Sequence, residues 1–284
     1  MSPADTAVDR SRPRCGLAIT VLTAVSFLCC GCSGNQSSGQ LKTDLRVSDS
    51  DYLELELATG VVTAITPPDD LSLNRSRWRT THLLFHRITG GSAPGQIVGL
   101  PGDGETEDAG VLTGSLGFIA VFELTVSQWQ RLSGGTAAGS EDPVCSLSPN
   151  TVMLRLASYQ CSDFRLDLPD PGSWMRACTN GRAELFAWGA SVEPSITAGY
   201  AVHYPTNGGS ATAARRVGSL LPNANGLFDM HGNVAEMVVD ANDSYQARGG
   251  AWDSPIHACR AANVVALPAM LAHPSVGVRL MLRP

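Results

Sequence analysis

The stretch that decides the reading is Gly226-Leu-Phe-Asp-Met-His-Gly-Asn-Val-Ala-Glu-Met237, followed by Arg248-Gly-Gly-Ala-Trp252 and then Cys259-Arg-Ala-Ala262. Two carboxylates, Asp229 and Glu236, stand seven residues apart around a Gly-Asn turn. Calcium takes hard oxygen ligands in a flexible cage, so this pair is a candidate cation site. The plainer alternative is a turn held by a buried glutamate hydrogen-bonded to backbone. Gly249 and Gly250 permit positive φ or a close backbone approach, which assigns them to architecture, with Trp252 expected in the core.

At the other end of the chain, Arg10, Arg12 and Arg14 precede a largely apolar run from Leu17 to Cys30. Positive charge before a short apolar run is the pattern of a secretory signal, and the run falls short of the ~20 residues of a membrane span. It closes Leu28-Cys-Cys-Gly-Cys32 before a Ser/Gly/Gln-rich stretch. That pattern resembles a bacterial lipoprotein signal, with Cys32 as the lipidated residue and Cys30 as the second candidate. An ordinary cleaved signal is the alternative. The organisation expected is a signal peptide over 1–31, a flexible tether over 32–47 and one domain over 48–284. The protein is then held by a lipid anchor on the bacterial cell envelope, at the outer membrane or cell surface rather than the inner membrane.

Removing 1–31, which carries a net +1, from a chain of net charge −6 leaves 253 residues at −7. That length suits one large domain or two small ones. The chain is acidic, with Lys42 its single lysine, and has no basic footprint for nucleic acid. With 29 glycines, 17 prolines and 16% charged residues, it reads as a loop-rich globular protein, not a long-helix one.

Four cysteines fall in the first 32 residues and four in the body: Cys145, Cys161, Cys178 and Cys259. In an exported protein the body cysteines are disulfide candidates, and spacing alone leaves their three pairings open. Cys145 and Cys161 flank an expected helix of ~11 residues, whose ends lie ~16 Å apart, beyond the ~6 Å a disulfide spans. No Cys-x-x-Cys occurs in the body, which excludes a zinc ribbon or thioredoxin motif. His82 and His86 lack a metalloprotease motif and read as strand or loop histidines. His231, His257 and His273 are isolated. No serine sits in a Gly-x-Ser-x-Gly elbow.

Tyr52-Leu-Glu-Leu-Glu-Leu57 alternates with period two and is followed by Gly60 and Val61–Ile65, a hairpin with one buried face. Residues 66–80 read as polar, 81–88 as a strand and 89–115 as a long loop. Gly117–Phe122 is a buried strand. Thr125-Val-Ser-Gln128 fits a capping box, with Trp129 and Leu132 facing the core. Ser148-Pro149 and Asp170-Pro171 open two more helices, each with an N-cap and a proline at the first position. Beyond about 180, irregular loops with short strands are expected.

These blocks, in this order, resemble the formylglycine-generating, sulfatase-modifying-factor family. Phe122–Trp129 resembles its first strand-to-helix segment. Asp167-Leu-Pro-Asp-Pro-Gly-Ser-Trp174 resembles its Arg-Leu-Pro-Thr-Glu-Ala-Glu-Trp signature, Phe186-Ala-Trp-Gly189 its Pro-Trp-Gly block and Val276-Gly-Val-Arg279 its closing Gly-Phe-Arg strand. The resemblance is clearest over 117–280. It implies an α+β, C-type-lectin-like fold with short antiparallel strands and few helices. It implies calcium held by Asp229, Glu236 and the carbonyls of Gly232 and Val234, and a disulfide between Cys178 and Cys259. The family's second calcium site draws on an Asn near Tyr200, which this chain lacks. Cys161 matches another bridging cysteine, whose partner position here is Leu280.

The family's enzyme oxidises a target cysteine to formylglycine with oxygen, on copper held by paired thiolates. Copper(I) favours such soft ligands. The positions for that pair fall in Asp253–Ala258, which has no cysteine, and no cysteine but Cys259 lies beyond 178. Copper and formylglycine generation are therefore not expected. The expected function is an envelope-tethered, non-catalytic domain that binds a protein, peptide or glycan. The alternatives are an oxidoreductase of different chemistry within the family and a structural lipoprotein.

Overall fold

The computed structural model describes residues 50–66, 76–89, 112–136, 139–204 and 213–284, together with the backbone of three short strands between 91 and 108. All of these belong to one unit, Asp44–Pro284. The expected signal and the whole of the expected tether, Cys32 included, lie outside the described residues.

The expected hairpin forms β1 (Tyr52–Glu56) and β2 (Val62–Ile65), paired antiparallel with Leu53 opposite Ala64. The alternation is not reproduced as a one-faced strand, because Leu53, Glu54 and Leu55 are all buried. The cause is a single helical turn, α1 (Arg77–Thr80), inside the segment read as polar. It delivers Trp78 to the core, and the Trp78 indole and the Arg77 guanidinium donate to Glu54 Oε2 at 2.8 and 2.7 Å. A carboxylate on the second face is thus covered and satisfied together. After α1 comes β3 (His82–Ile88), the strand expected there; its His86 stacks on Tyr52.

The region expected as a long loop carries two small ladders. β4 (Gly91–Ala93) pairs with β7 (Leu112–Gly114), and β5 (Gln96–Ile97) with β6 (Glu107–Asp108). Strands of two or three residues leave no periodicity to read. Next come β8 (Gly117–Ala120) and three helices where their caps predict them: α2 (Val126–Leu132), α3 (Pro149–Ser158) and, after β9 (Arg165–Asp167), α4 (Pro171–Thr179). The capping box is complete. Thr125 Oγ1 accepts from Gln128 N, and Gln128 Oε1 accepts from Thr125 N. The Gln128 amide also donates to the carbonyls of Trp78 and His82, so one side chain both starts α2 and fastens it to α1. Leu132 is buried, and Trp129 packs partly buried against the same core.

Past α4 the chain is irregular, as expected, with a one-turn α5 (Pro194–Thr197) and five short strands: β10 (Ala235–Val239), β11 (Tyr245–Arg248), β12 (Val264–Leu267), β13 (Val276–Gly277) and β14 (Met281–Arg283). A six-stranded antiparallel sheet runs β2-β1-β3-β8-β14-β9. A four-stranded sheet runs β12-β11-β10-β13, its last pair parallel. The class is α+β. One core cluster gathers Trp78, Trp174, Phe186 and Met281, and another gathers Leu53, Phe85, Leu124 and Leu282. Trp252, expected in the core, is only half-buried; its place is fixed by its backbone N–H, which donates to the Asn233 carbonyl at 2.9 Å.

Candidate functional site

Glu236 sits in β10, where a run of apolar neighbours drives the strand inward and takes the carboxylate with it, to 1% exposure. A buried carboxylate needs a cation or several donors. It finds Arg279, itself fully buried between β13 and β14. Arg279 Nε lies 2.9 Å from both oxygens of Glu236, and Nη2 lies 2.6 Å from Oε1. Trp174 Nε1 donates to Oε2 at 2.6 Å. The remaining guanidinium donors reach the carbonyls of Ala120, Val121 and Phe228 at 2.6–2.9 Å. All five N–H groups of this planar fork have acceptors, a geometry that a lysine cannot reproduce.

Two more carboxylates are buried nearby. Asp229 has positive φ, 57°, and its Oδ2 accepts from Gly218 N at 2.6 Å. Burial pushes its carboxyl up to about 6, against the pull of that N–H and of Arg279. Glu123 accepts from Asn233 Nδ2 at 2.5 Å and from Val234 N at 3.1 Å. Burial, then the charges of Asp229 and Glu236, hold it well above the usual range.

The Gly-Asn turn is fixed by contacts that only its residues permit. A Cβ on Gly232, at φ 76°, would lie 2.3 Å from the Val202 carbonyl oxygen. Asn233, at φ 59°, donates its N–H to that same carbonyl at 2.7 Å and accepts from Arg215 N through Oδ1 at 2.8 Å. The sequence reading of Gly249 and Gly250 holds: both have positive φ, and a Cβ on Gly250 would meet Cys259 Sγ at 2.7 Å.

The expected calcium set does not fit these residues. The structure brings Asp229, Gly232, Val234 and Glu236 into one turn, but both oxygens of Glu236 are already taken by a guanidinium and an indole. Among the described residues, no group of three or more His, Cys, Asp or Glu side chains is arranged to hold a metal ion.

The Cys178–Cys259 bridge implied by the resemblance is not formed in the structure. All four body cysteines are free thiols. Cys178 instead meets His231 Nε2 at 3.3 Å, and His231 Nδ1 reaches the Cys259 carbonyl at 2.8 Å. Ala187 N–H also donates to Nε2 at 2.9 Å, which places the imidazole proton on Nδ1. Burial lowers this histidine to about 4, so it stays neutral. Phe186 and Trp188 meet its ring edge-on. Cys259 is fully buried and its thiol is pushed up to about 12 by burial and by Asp253. A single buried thiol offers no pair of thiolates to copper(I), so that set does not fit either.

Where the family's cysteine pair would stand, Asp253, Ser254, Pro255 and Ala258 line an open cavity of about 340 Å³. Asn263, His273 and Ser275 add hydrogen-bonding groups to its wall, and Val265 and Leu267 add apolar surface. Glu123, Asn233 and the pairing of Arg279 with Glu236 were not anticipated as site residues. One signal was available for the last: each is a lone charge in an apolar run, Val276–Leu282 and Val234–Val239, the pattern of a buried ion pair.

Short strands, few helices and long structured loops around a buried Arg–Glu pair define a C-type-lectin-like α+β domain. The model of the "Sulfatase-modifying factor enzyme 1-like domain" matches residues 91–284, and the chain belongs to that family. Among solved structures, "Treponema denticola variable protein 1" superposes with a TM-score of 0.58 at 18% identity, over 77% of this chain and 100% of that one. PvdO from Pseudomonas aeruginosa superposes at 0.56 and 19% identity, over 71% and 94%. CarF does so at 0.51 and 19%, over 70% and 97%. At such identities the likeness shows the fold alone. No curated protein sequence gives a match.

Proposed function

We propose that this is a non-catalytic member of the family, tethered to the cell envelope, that binds a protein, peptide or glycan at the open face beside the Arg-Gly-Gly turn. The observation that carries the reading is the replacement of the thiol pair: the segment Asp253–Ala258 has no cysteine, and the neighbouring Cys259 is a single buried thiol. What lines the cavity instead is a mixture of hydrogen-bonding and small apolar side chains, suited to holding a ligand rather than oxidising one.

The test co-expresses the full chain with a Cys-x-Pro-x-Arg peptide under oxygen and copper, and in parallel screens it against peptide and glycan arrays. No aldehyde above background is expected. Binding to an array member should fall at least tenfold in Asp253→Ala, an exposed lining residue. Aldehyde formation, or array binding that ignores Asp253, would sink the proposal.

The tether rests on the Arg-rich start, the short apolar run and Cys32. Cys32→Ala should move the protein out of the detergent-soluble membrane fraction. An unchanged fraction and an unchanged mass would remove the anchor from the proposal.

A further inference from the structure

The four residues of β12, Val264-Val-Ala-Leu267, are all apolar. A continuous apolar run of strand length is what a strand covered on both faces requires. This one is covered only at its end, where Leu267 packs against the core. Val264, Val265 and Ala266 are exposed, on alternate faces of the strand, and only Leu267 is half-buried. β12 also lies at the edge of the four-stranded sheet, with β11 as its sole strand neighbour there. The chain then continues through Pro268 to Met270 and Leu271, which are 76% and 59% exposed. Four of the eleven exposed large hydrophobic residues among those described fall within these eight positions.

Proteins blunt such edges with lysines, inward charges or bulges. Here residues 261–278 contain no Lys, Arg, Asp or Glu at all. The rest of the chain is acidic overall, with a net charge of −6, so two copies repel over most of their surfaces. The uncharged strip is where that repulsion is least. An edge of backbone N–H and C=O groups is matched by another extended backbone, which neither a lipid nor a glycan supplies. A copy of the same strand supplies it, together with a matching uncharged, apolar flank.

We propose that β12 is a self-association edge: two copies of this chain pair β12 antiparallel to β12 about a two-fold axis, joining their four-stranded sheets. Met270 and Leu271 then close over the partner's flank. Pro268 ends the strand after four residues, which holds the pairing to a short, fixed register. A two-fold contact of this kind uses the same patch on both copies and closes on itself, giving a dimer and not a fibre.

The test places a photoreactive p-benzoylphenylalanine at Val265 of the full chain, co-expressed in a bacterial host with a differently tagged copy. The expected product has twice the monomer mass, carries both tags and maps to residues 264–271 of the second copy. Met270→Lys with Leu271→Lys should cut its yield at least tenfold without moving the melting temperature. Val264→Lys, on the other face of the strand, should do the same. The label at Val61, 48% exposed beside β2, should give no such product. Adducts only to lipid or to another protein, no copy-to-copy adduct, or equal yields at Val61 would overturn the proposal.

Discussion

Arg279→Ala is expected to cost the fold on the order of 3–5 kcal/mol, the range for removing one partner of a buried ion pair. The guanidinium serves both Glu236 oxygens and the carbonyls of Ala120, Val121 and Phe228. Its removal leaves Glu236, 1% exposed, with the Trp174 indole and no counter-charge. At roughly 2–4 °C per kcal/mol for a domain of this size, the melting temperature should fall by on the order of 10 °C. Arg279→Lys should recover little, because a point charge on a flexible stem cannot reach five acceptors in one plane. Glu236→Gln with Arg279→Met should recover much more than either change alone, since removing both charges removes both desolvation costs. Calcium and chelator give the contrasting arm. If a bound cation were the true partner of Glu236, chelation would lower the melting temperature and Arg279→Ala would matter little. A loss under about 1 kcal/mol for Arg279→Ala would remove this pair as the centre of the fold's stability.

What the sequence makes legible here is what local chemistry decides. Thr125 with Gln128, Ser148 before Pro149 and Asp170 before Pro171 each satisfy helix N–H groups within four residues, and all three helices start there. The glycines of Arg248-Gly-Gly250 are legible for the same reason: a backbone requirement at one position excludes every other side chain. The blocks from Phe122 to Arg279 carry the family and its fold without any pairing being known. The elements missed depend on distant partners. α1 is one turn long and exists because Trp78 and Arg77 find Glu54 across the hairpin. β4 and β7 pair across 18 intervening residues that offer no alternation. At the site, Asp229 and Glu236 lie seven residues apart in one motif, so a metal between them is the local reading. The partner that the structure gives Glu236 lies 43 residues further on. Cys178 and Cys259 are both buried, as a bridge would require, yet the thiol of Cys178 faces an imidazole that no spacing rule connects to it.

Asp229→Asn is expected to stabilise the protein at neutral pH and to lose that advantage in acid. Burial raises the Asp229 carboxyl from an ordinary 3.8 to about 6 in the folded state. A raised carboxyl means that the native state binds the proton more tightly than the unfolded one between those values. In that window the unfolded state carries fewer protons, so stability at this site falls as pH rises. The cost is absent below about 4 and complete above about 6, where the roughly two pH units between the values correspond to on the order of 3 kcal/mol. Asparagine keeps an oxygen for Gly218 N, 2.6 Å away in the wild type, and carries no charge at any pH. Arg279 stays charged through this range, whereas Glu123 is raised by burial and by the charge of Asp229 itself, so the comparison is made in a Glu123→Gln background that leaves Asp229 to titrate without it. His231 works in the opposite direction, because its lowered value makes the fold lose stability as pH falls below 6.5. The curve of the parent protein alone therefore mixes opposed slopes, and its difference from the same protein carrying Asp229→Asn isolates one. Urea melts of both proteins at half-unit steps from pH 4 to 8 would supply it. The difference should grow from pH 4 to about 6 and then level off. A difference that stays flat across the range, or that grows towards acid, would mean that Asp229 is ionised at little cost and that its surroundings supply more positive charge than Arg279 and the buried Arg79 of α1, which also pulls on this carboxyl, provide.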